Sequence, residues 1–202
     1  MTDIGLTVSR ETISQLEAYV ALLEKWNTRI NLVARSTLGQ IWDRHFVDSA
    51  QVFAYAPEDA RHWVDLGSGG GFPGLVVAVL AKELRPEMLV TLVESDTRKA
   101  TFLRTVIREL KLPAKVIDAR IEGIESLQAD VLSARALADL KQLLDFADLH
   151  RKSGGVALFP KGATWKKEVQ EAQQSWRFDY ERFTSKTEAE AVILRIGEIE
   201  HV

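Results

Sequence analysis

Residues 61–81 read Arg61-His62-Trp63-Val64-Asp65-Leu66-Gly67-Ser68-Gly69-Gly70-Gly71-Phe72-Pro73-Gly74-Leu75-Val76-Val77-Ala78-Val79-Leu80-Ala81. Apolar Trp63, Val64 and Leu66 lead into five glycines within the eight positions from Gly67 to Gly74, and an unbroken apolar run from Leu75 to Ala81 follows. The order is strand, tight turn, helix. Pro73 is tolerated in a first helical turn, where its missing N–H has no intrahelical partner. The glycines at Gly67, Gly69 and Gly71 permit positive φ and let a ligand approach the main chain. The helix that starts after them offers free N–H groups and the positive end of its dipole.

Two nucleotide-binding patterns compete for this loop. Gly69-x-Gly71-x-x-Gly74 satisfies the dinucleotide expression, which implies an NAD-dependent oxidoreductase. Asp65-x-Gly67-x-Gly69-x-Gly71 satisfies the acidic-Gly-x-Gly-x-Gly pattern of S-adenosylmethionine methyltransferases. The two phases differ by two residues. In the first, the leading glycine lies four residues beyond Asp65, although the turn should open as the strand closes. In the second, Asp65 ends the strand and can face the cationic amino acid end of the cofactor. The second phase is preferred.

Strands and helices alternate on the C-terminal side of the loop, which argues a parallel sheet covered on both faces. Strands are expected at His62–Leu66, Met88–Glu94, Lys115–Asp118, Val131–Ala134 and Val156–Pro160, the last entered through a turn at Ser153-Gly154-Gly155. Helices are expected at Thr97–Leu110 and Leu137–His150, and a closing hairpin at Phe178–Thr184 with Ala191–Gly197. On the N-terminal side, Ser9 can cap a helix whose apolar stripe includes Leu16, Tyr19, Val20, Leu23 and Trp26. A second helical pattern follows Ser36 or Thr37, with Leu38, Ile41, Trp42, His45, Val52 and Phe53 as its inner side. The whole is an α/β chain, one domain over 1–202: a helical cap (1–57) on a seven-stranded Rossmann-like core (58–202).

With 202 residues, one substantial α/β core fits and two do not. No apolar run is long enough to span a bilayer, and Met1-Thr2-Asp3-Ile4 lacks a signal region, so a cytoplasmic protein is expected. Zero cysteines exclude disulfides, cysteine-ligated metals and a cysteine nucleophile; no metal is expected. Net charge is −3 but unevenly spread. Arg98, Lys99, Arg104, Arg108, Lys111, Lys115 and Arg120 crowd into one sector, against Glu109 and Asp118. One basic sector on an acidic chain suits a protein that docks nucleic acid in one orientation.

Ligands in open parallel sheets lie across the carboxyl ends of the strands. Strand one brings Asp65, Gly67 and Gly69 there. Strand two ends on Glu94, whose carboxylate can accept from both ribose hydroxyls of an adenosyl group. Beyond strand three lie Ile121 and Glu122, and beyond strand four Arg135, whose guanidinium can fork onto a carboxylate or phosphate. An ion pair of Arg135 with Asp65 or Asp139 is the plain alternative. Phe72 at an exposed loop apex and Phe159-Pro160-Lys161 are candidates to floor a base pocket, with Phe159 favoured as core. Arg98, Lys99, Arg104, Arg108 and Lys161 are candidate RNA contacts.

The glycine loop as Asp65-Leu66-Gly67-Ser68-Gly69-Gly70-Gly71-Phe72-Pro73-Gly74 resembles the motif of the bacterial 16S ribosomal RNA guanine-N7 methyltransferase family, also called glucose-inhibited division protein B. Asn31-Leu32, Arg44-His45-Phe46-Val47-Asp48-Ser49, Arg98-Lys99-x-x-Phe102-Leu103-Arg104, Ser133-Ala134-Arg135-Ala136-Leu137-Ala138-Asp139-Leu140 and Lys161-Gly162 match the same family in order. The resemblance implies a class I S-adenosylmethionine methyltransferase fold. It also implies methylation of guanine N7 in the decoding-region loop of 16S ribosomal RNA, free or in the 30S subunit; a monomer is expected. It puts Phe72, Ile121 and Glu122 at the cofactor and Arg135 in the cleft between cofactor and substrate. Guanine N7 carries a lone pair and no proton, so no catalytic base is expected, and Arg135 is the positioning candidate. His45 and Asp48 are expected to support the cleft. A non-enzymatic, cofactor-sensing RNA-binding protein is the alternative of another class.

Overall fold

The computed structural model describes residues 5–202. The expectation drawn from Met1-Thr2-Asp3-Ile4 therefore lies outside the described residues, among which no helix is long and apolar enough to cross a membrane. Seven strands form one sheet: β1 (His62–Leu66), β2 (Leu89–Glu94), β3 (Ala114–Asp118), β4 (Ala129–Ala134), β5 (Arg151–Lys161), β6 (Trp176–Thr184) and β7 (Val192–His201). Their order is β3-β2-β1-β4-β5-β7-β6, and β7 alone runs against its neighbours. The chain moves outward from β1 to β3 and then returns to place β4 on β1's other edge. That reversal opens a crevice at the carboxyl ends of β1 and β4, where ligands bind in sheets of this kind.

The helices are α1 (Arg10–Asn27), α2 (Asp48–Ala54), α3 (Gly74–Leu84), α4 (Thr97–Leu110), α5 (Leu140–His150) and α6 (Trp165–Ala172). Every residue of α3 from Gly74 to Ala81 is buried, because the helix lies between the sheet and the N-terminal helices; an all-apolar helix needs cover all round. Ser9 caps α1 by accepting from Thr12 N–H, as expected, and its own N–H and hydroxyl donate to Glu83 at the end of α3. Leu16, Tyr19, Leu23, Phe46 and Phe53 share one hydrophobic cluster with α3, so the N-terminal helices complete the core rather than lean on it.

Several elements differ from expectation, β7 among them, which runs on to His201 rather than ending at Gly197. The segment after Ser36 is three pieces: a 3₁₀ turn (Arg35–Gln40), a π-helical turn (Trp42–Val47) and α2. Wider π winding moves the inward position away from the α-helical period, so fully buried Phe46 is the anchor, while Trp42 and His45 stay partly exposed. Helix α5 starts at Leu140, not Leu137, because Ala136 takes φ 53° and Asp139 caps the helix by accepting from Gln142 N–H. Strand β5 begins at Arg151 and runs through Gly154 and Gly155; a Cβ on Gly155 would lie 2.7 Å from the Ala129 carbonyl, so β4 presses on a residue without a side chain. Helix α6 was not expected. Its buried Trp165, Val169 and Ala172 recur at helical spacing, a legible but short signal.

Candidate active site

The turn opens at Gly67, directly after β1 closes at Leu66, so the Asp65-x-Gly67 phase describes the loop and the dinucleotide phase does not. Gly67, Gly69 and Gly71 take φ 61°, 54° and 90°. The loop is held from several sides. Ser68 N–H donates to Val93 O (3.1 Å), Gly69 N–H to Glu94 Oε2 (2.8 Å), and the Tyr19 hydroxyl to Gly70 O. Asn27 Oδ1 accepts from Leu32 and Val33 N–H, setting Leu32 so close that a Cβ on Gly70 would lie 2.9 Å from its carbonyl.

Asp65 is buried and lines neither cavity beside the loop, contrary to the expectation that it faces the cofactor. It is fully buried beneath the loop, where Oδ2 accepts from Gly74 N–H (3.2 Å) at the start of α3 and Oδ1 accepts from Ser133 Oγ (2.7 Å). A short carboxylate at the strand end reaches the helix start behind the glycines and is sealed there. Burial raises its pKa to about 6 against the opposing hydrogen bonds of Ser133 and Ser68.

Two cavities flank the glycine loop and share Gly67, Gly69, Lys99, Ala136 and Ala138. The smaller, about 390 Å³, is lined by Glu94, Ile121, Glu122, Leu137 and Phe146 among others. Glu94 accepts from Gly69 and Asp96 N–H, one on each oxygen, which leaves lone pairs for further donors. These residues suit an adenosyl group: a carboxylate at the end of β2 for hydroxyls, apolar Ile121 and Leu137 for a flat ring, and an approachable main chain. A Cβ on Gly69 would have no atom nearer than the Gly67 carbonyl at 3.8 Å, so space is open where a ligand would press against the loop.

The larger cavity, about 630 Å³, is lined by His45, Asp48, Phe72, Arg135, Pro160 and Lys161, among others. Phe72 is buried, not exposed at an apex as expected. Its ring stacks on Tyr19 and His45 (centroids 5.5 and 5.0 Å), meets Phe46 edge-on, and lies 5.0 Å beneath the Arg135 guanidinium. Neither Asp65 nor Asp139 pairs with Arg135. It donates instead to Arg44 O (3.2 Å), Asp48 Oδ2 (3.4 Å) and His45 Nδ1 (3.0 Å). Arginine can only donate, so His45 Nδ1 accepts and its Nε2–H donates to Thr37 Oγ1 (2.9 Å). Burial, with Arg135 and Arg44 adding to it, lowers the His45 pKa to about 4. Burial raises the Asp48 pKa, and Arg135 pulls it back. The spacing of Arg44, His45 and Asp48 was visible in the sequence, but their common partner Arg135 was not.

The candidate RNA contacts divide. Lys161 Nζ is buried and donates to Glu168 Oε2 (2.7 Å) and Ala138 O (2.9 Å), so it braces α6 against the α5 entry loop. Arg104 pairs with Asp118 (3.6 Å) and Arg108 with Glu109 (2.9 Å) on the outer face of α4. Arg98 pairs with Asp96, and Lys99 lies at the loop where both cavities meet. Phe159 is fully buried core.

The strand order, the glycine turn and an acid closing β2 define a class I S-adenosylmethionine methyltransferase. Solved structures agree on the fold. A putative O-methyltransferase from Klebsiella pneumoniae superposes with TM-score 0.60 at 11% identity, over 96% of this chain and 92% of that one. The TYW2 protein of M. jannaschii, solved with AdoMet, does so with TM-score 0.56 at 16% identity, over 87% and 80%. The family model for rRNA small subunit methyltransferase G matches residues 12–194, and the Ruegeria pomeroyi ribosomal RNA small subunit methyltransferase G is 54% identical over 98% of this chain and 96% of its own length. This chain belongs to the rRNA small subunit methyltransferase G family.

Proposed function

We propose that this chain, acting as a monomer, methylates N7 of a guanine in the decoding-region loop of 16S ribosomal RNA. S-adenosylmethionine is the methyl donor, and its sulfonium supplies an activated methyl group. Gly67, Gly69, Glu94, Ile121 and Glu122 would hold it in the smaller cavity, with Asp65 fixing the loop from behind.

One observation carries the N7 reading: each acid and imidazole lining the larger cavity is already engaged. His45 accepts from Arg135, Asp48 from Arg135 and Thr187, Glu168 from Lys161, and Glu188 from Arg44. A cleft without a poised base suits a nucleophile with a lone pair and no proton to lose. The protein's work is then alignment and exclusion of water. Arg135 Nε–H has no acceptor among the described residues and is free to hold guanine O6 or a cofactor carboxylate.

The test is transfer of radiolabelled methyl to 16S ribosomal RNA, free and in 30S particles, followed by mapping. N7-methylguanosine weakens its glycosidic bond, so reduction and aniline should cleave the product chain at one site. Label on an exocyclic amine, or no transfer to either substrate, would overturn the proposal.

A further inference from the structure

The ends of α1 and α4 enclose a groove that the cofactor and target cavities do not include. One cavity of about 270 Å³ is lined by Lys25, Trp26, Arg29, Ile30, Arg98 and Thr101. A second, about 280 Å³, shares Arg29, Ile30 and Arg98 with it and reaches Lys99, which lines both cavities at the glycine loop. The groove therefore runs from Trp26 to the reaction site through residues held in common.

Its chemistry is uniform. Trp26 is half-buried, its ring 5.7 Å from that of Phe102, so it is a rigid aromatic surface rather than a loose one. Lys25, Arg29 and Lys99 have no ion-pair partner among the described residues, and Asp96, the one acid lining either cavity, is already taken by Arg98 and the start of α4. Unpaired cations around an aromatic face, on a chain of net charge −3, fit a polyanion with flat rings.

We propose that this groove binds a single-stranded segment of the RNA substrate flanking the target nucleotide, with one base stacked on Trp26 and phosphates at Lys25, Arg29 and Lys99. The proposal rests on the RNA substrate argued above. It moves the RNA track from the outer face of α4 to the seam between α1 and α4. Stacking is tolerant of base identity, so the groove positions the strand, and the choice of nucleotide is left to the cleft.

The experiment measures affinity of the full chain for a labelled oligouridylate and for 16S ribosomal RNA across a salt series. Trp26→Ala should weaken both roughly fivefold to a hundredfold without changing the salt slope. Trp26→Phe, which keeps the packing and a ring, should recover most of that loss. Lys25→Gln with Arg29→Gln should lower the magnitude of the log–log slope by about 1.4, two contacts at roughly 0.7 each for a single strand. S-adenosylmethionine affinity should not move in any of them. Wild-type RNA binding in both Trp26→Ala and the exposed double variant overturns the groove while leaving the methyltransferase reading intact. Trp26-dependent binding of oligouridylate, without methyl transfer to ribosomal RNA by wild type, keeps the groove and overturns that reading. Polyglutamate binding that depends on Trp26, with none of either RNA, overturns the groove in favour of an acidic protein segment.

Discussion

Asp65 and His45 show how one position can be plain in the sequence while its role is not. Both sit where site chemistry is expected, and both work through other residues: Asp65 through the Gly74 N–H and Ser133, His45 through Arg135. Asp65→Asn should leave one buried group unpaired in either amide orientation. With its oxygen on Gly74 N–H, the amide nitrogen faces Ser133 Oγ, which already accepts from Trp63 Nε1 and then loses an acceptor for its own proton. A cost of about 1–3 kcal/mol is expected in denaturant unfolding; an unchanged midpoint would contradict this arrangement. The pH response separates the pair. His45 falls to about 4 on folding from 6.5, so the unfolded chain takes up its proton first, and stability drops as pH falls through that window. Asp65, raised to about 6 from 3.8, holds its proton in the folded state and gains stability over much of the same range. The two oppose each other, so His45→Gln should make the protein less sensitive to acid than wild type. Melting temperatures of the two from pH 6.5 down to about 4 decide it.

At the scale of elements, helix α4 separates two basic surfaces that a linear reading merges. Asp96 caps the helix by accepting from Arg98 and Lys99 N–H, and this turns Lys99 towards the glycine loop. Arg104 and Arg108 lie further along, each beside an acid. Replacing both with Gln should leave the salt slope of RNA binding nearly unchanged and shift stability by less than about 0.5 kcal/mol; a slope reduced by about 1.4 would restore them as phosphate contacts. Strands were legible because β1 and β2 are apolar runs bounded by turn signals, and the closing hairpin by its alternation. The π-helical turn was not, since one added residue per turn displaces Phe46 from the α-helical stripe. Arg135's partners lie roughly ninety positions upstream, and no local pattern reports such a contact. Burial of Phe72 escaped for the same reason, because Tyr19 and His45 close over it from other elements.

The molecule as a whole makes the smaller cavity, proposed above for the cofactor, out of segments that only the folded chain brings together: the β1 turn, the end of β2, the Ile121–Gly123 turn, the Ala136–Ala138 loop and Phe146 on α5. No two of these are adjacent in the unfolded chain, so a ligand of this cavity binds the native state alone and must stabilise it by mass action. At a hundred times its dissociation constant, S-adenosylmethionine should add about 2.7 kcal/mol. For a chain of this size each kcal/mol moves the melting temperature by about 2–4 °C, so a rise of roughly 5–11 °C is expected. NAD at the same concentration should produce none, because the turn opens at Gly67 in the phase that excludes the dinucleotide pattern. Glu94→Ala should reduce the rise by removing a charged acceptor worth roughly 1.5–3 kcal/mol of binding. That residue also ties Gly69 to β2 and the start of α4, so its ligand-free melting temperature should fall as well. Calorimetry with and without ligand resolves the two effects. A Glu94→Ala protein that melts lower yet keeps the full ligand-induced rise would leave Glu94 as a strut of the loop, with the ribose held elsewhere in the cavity.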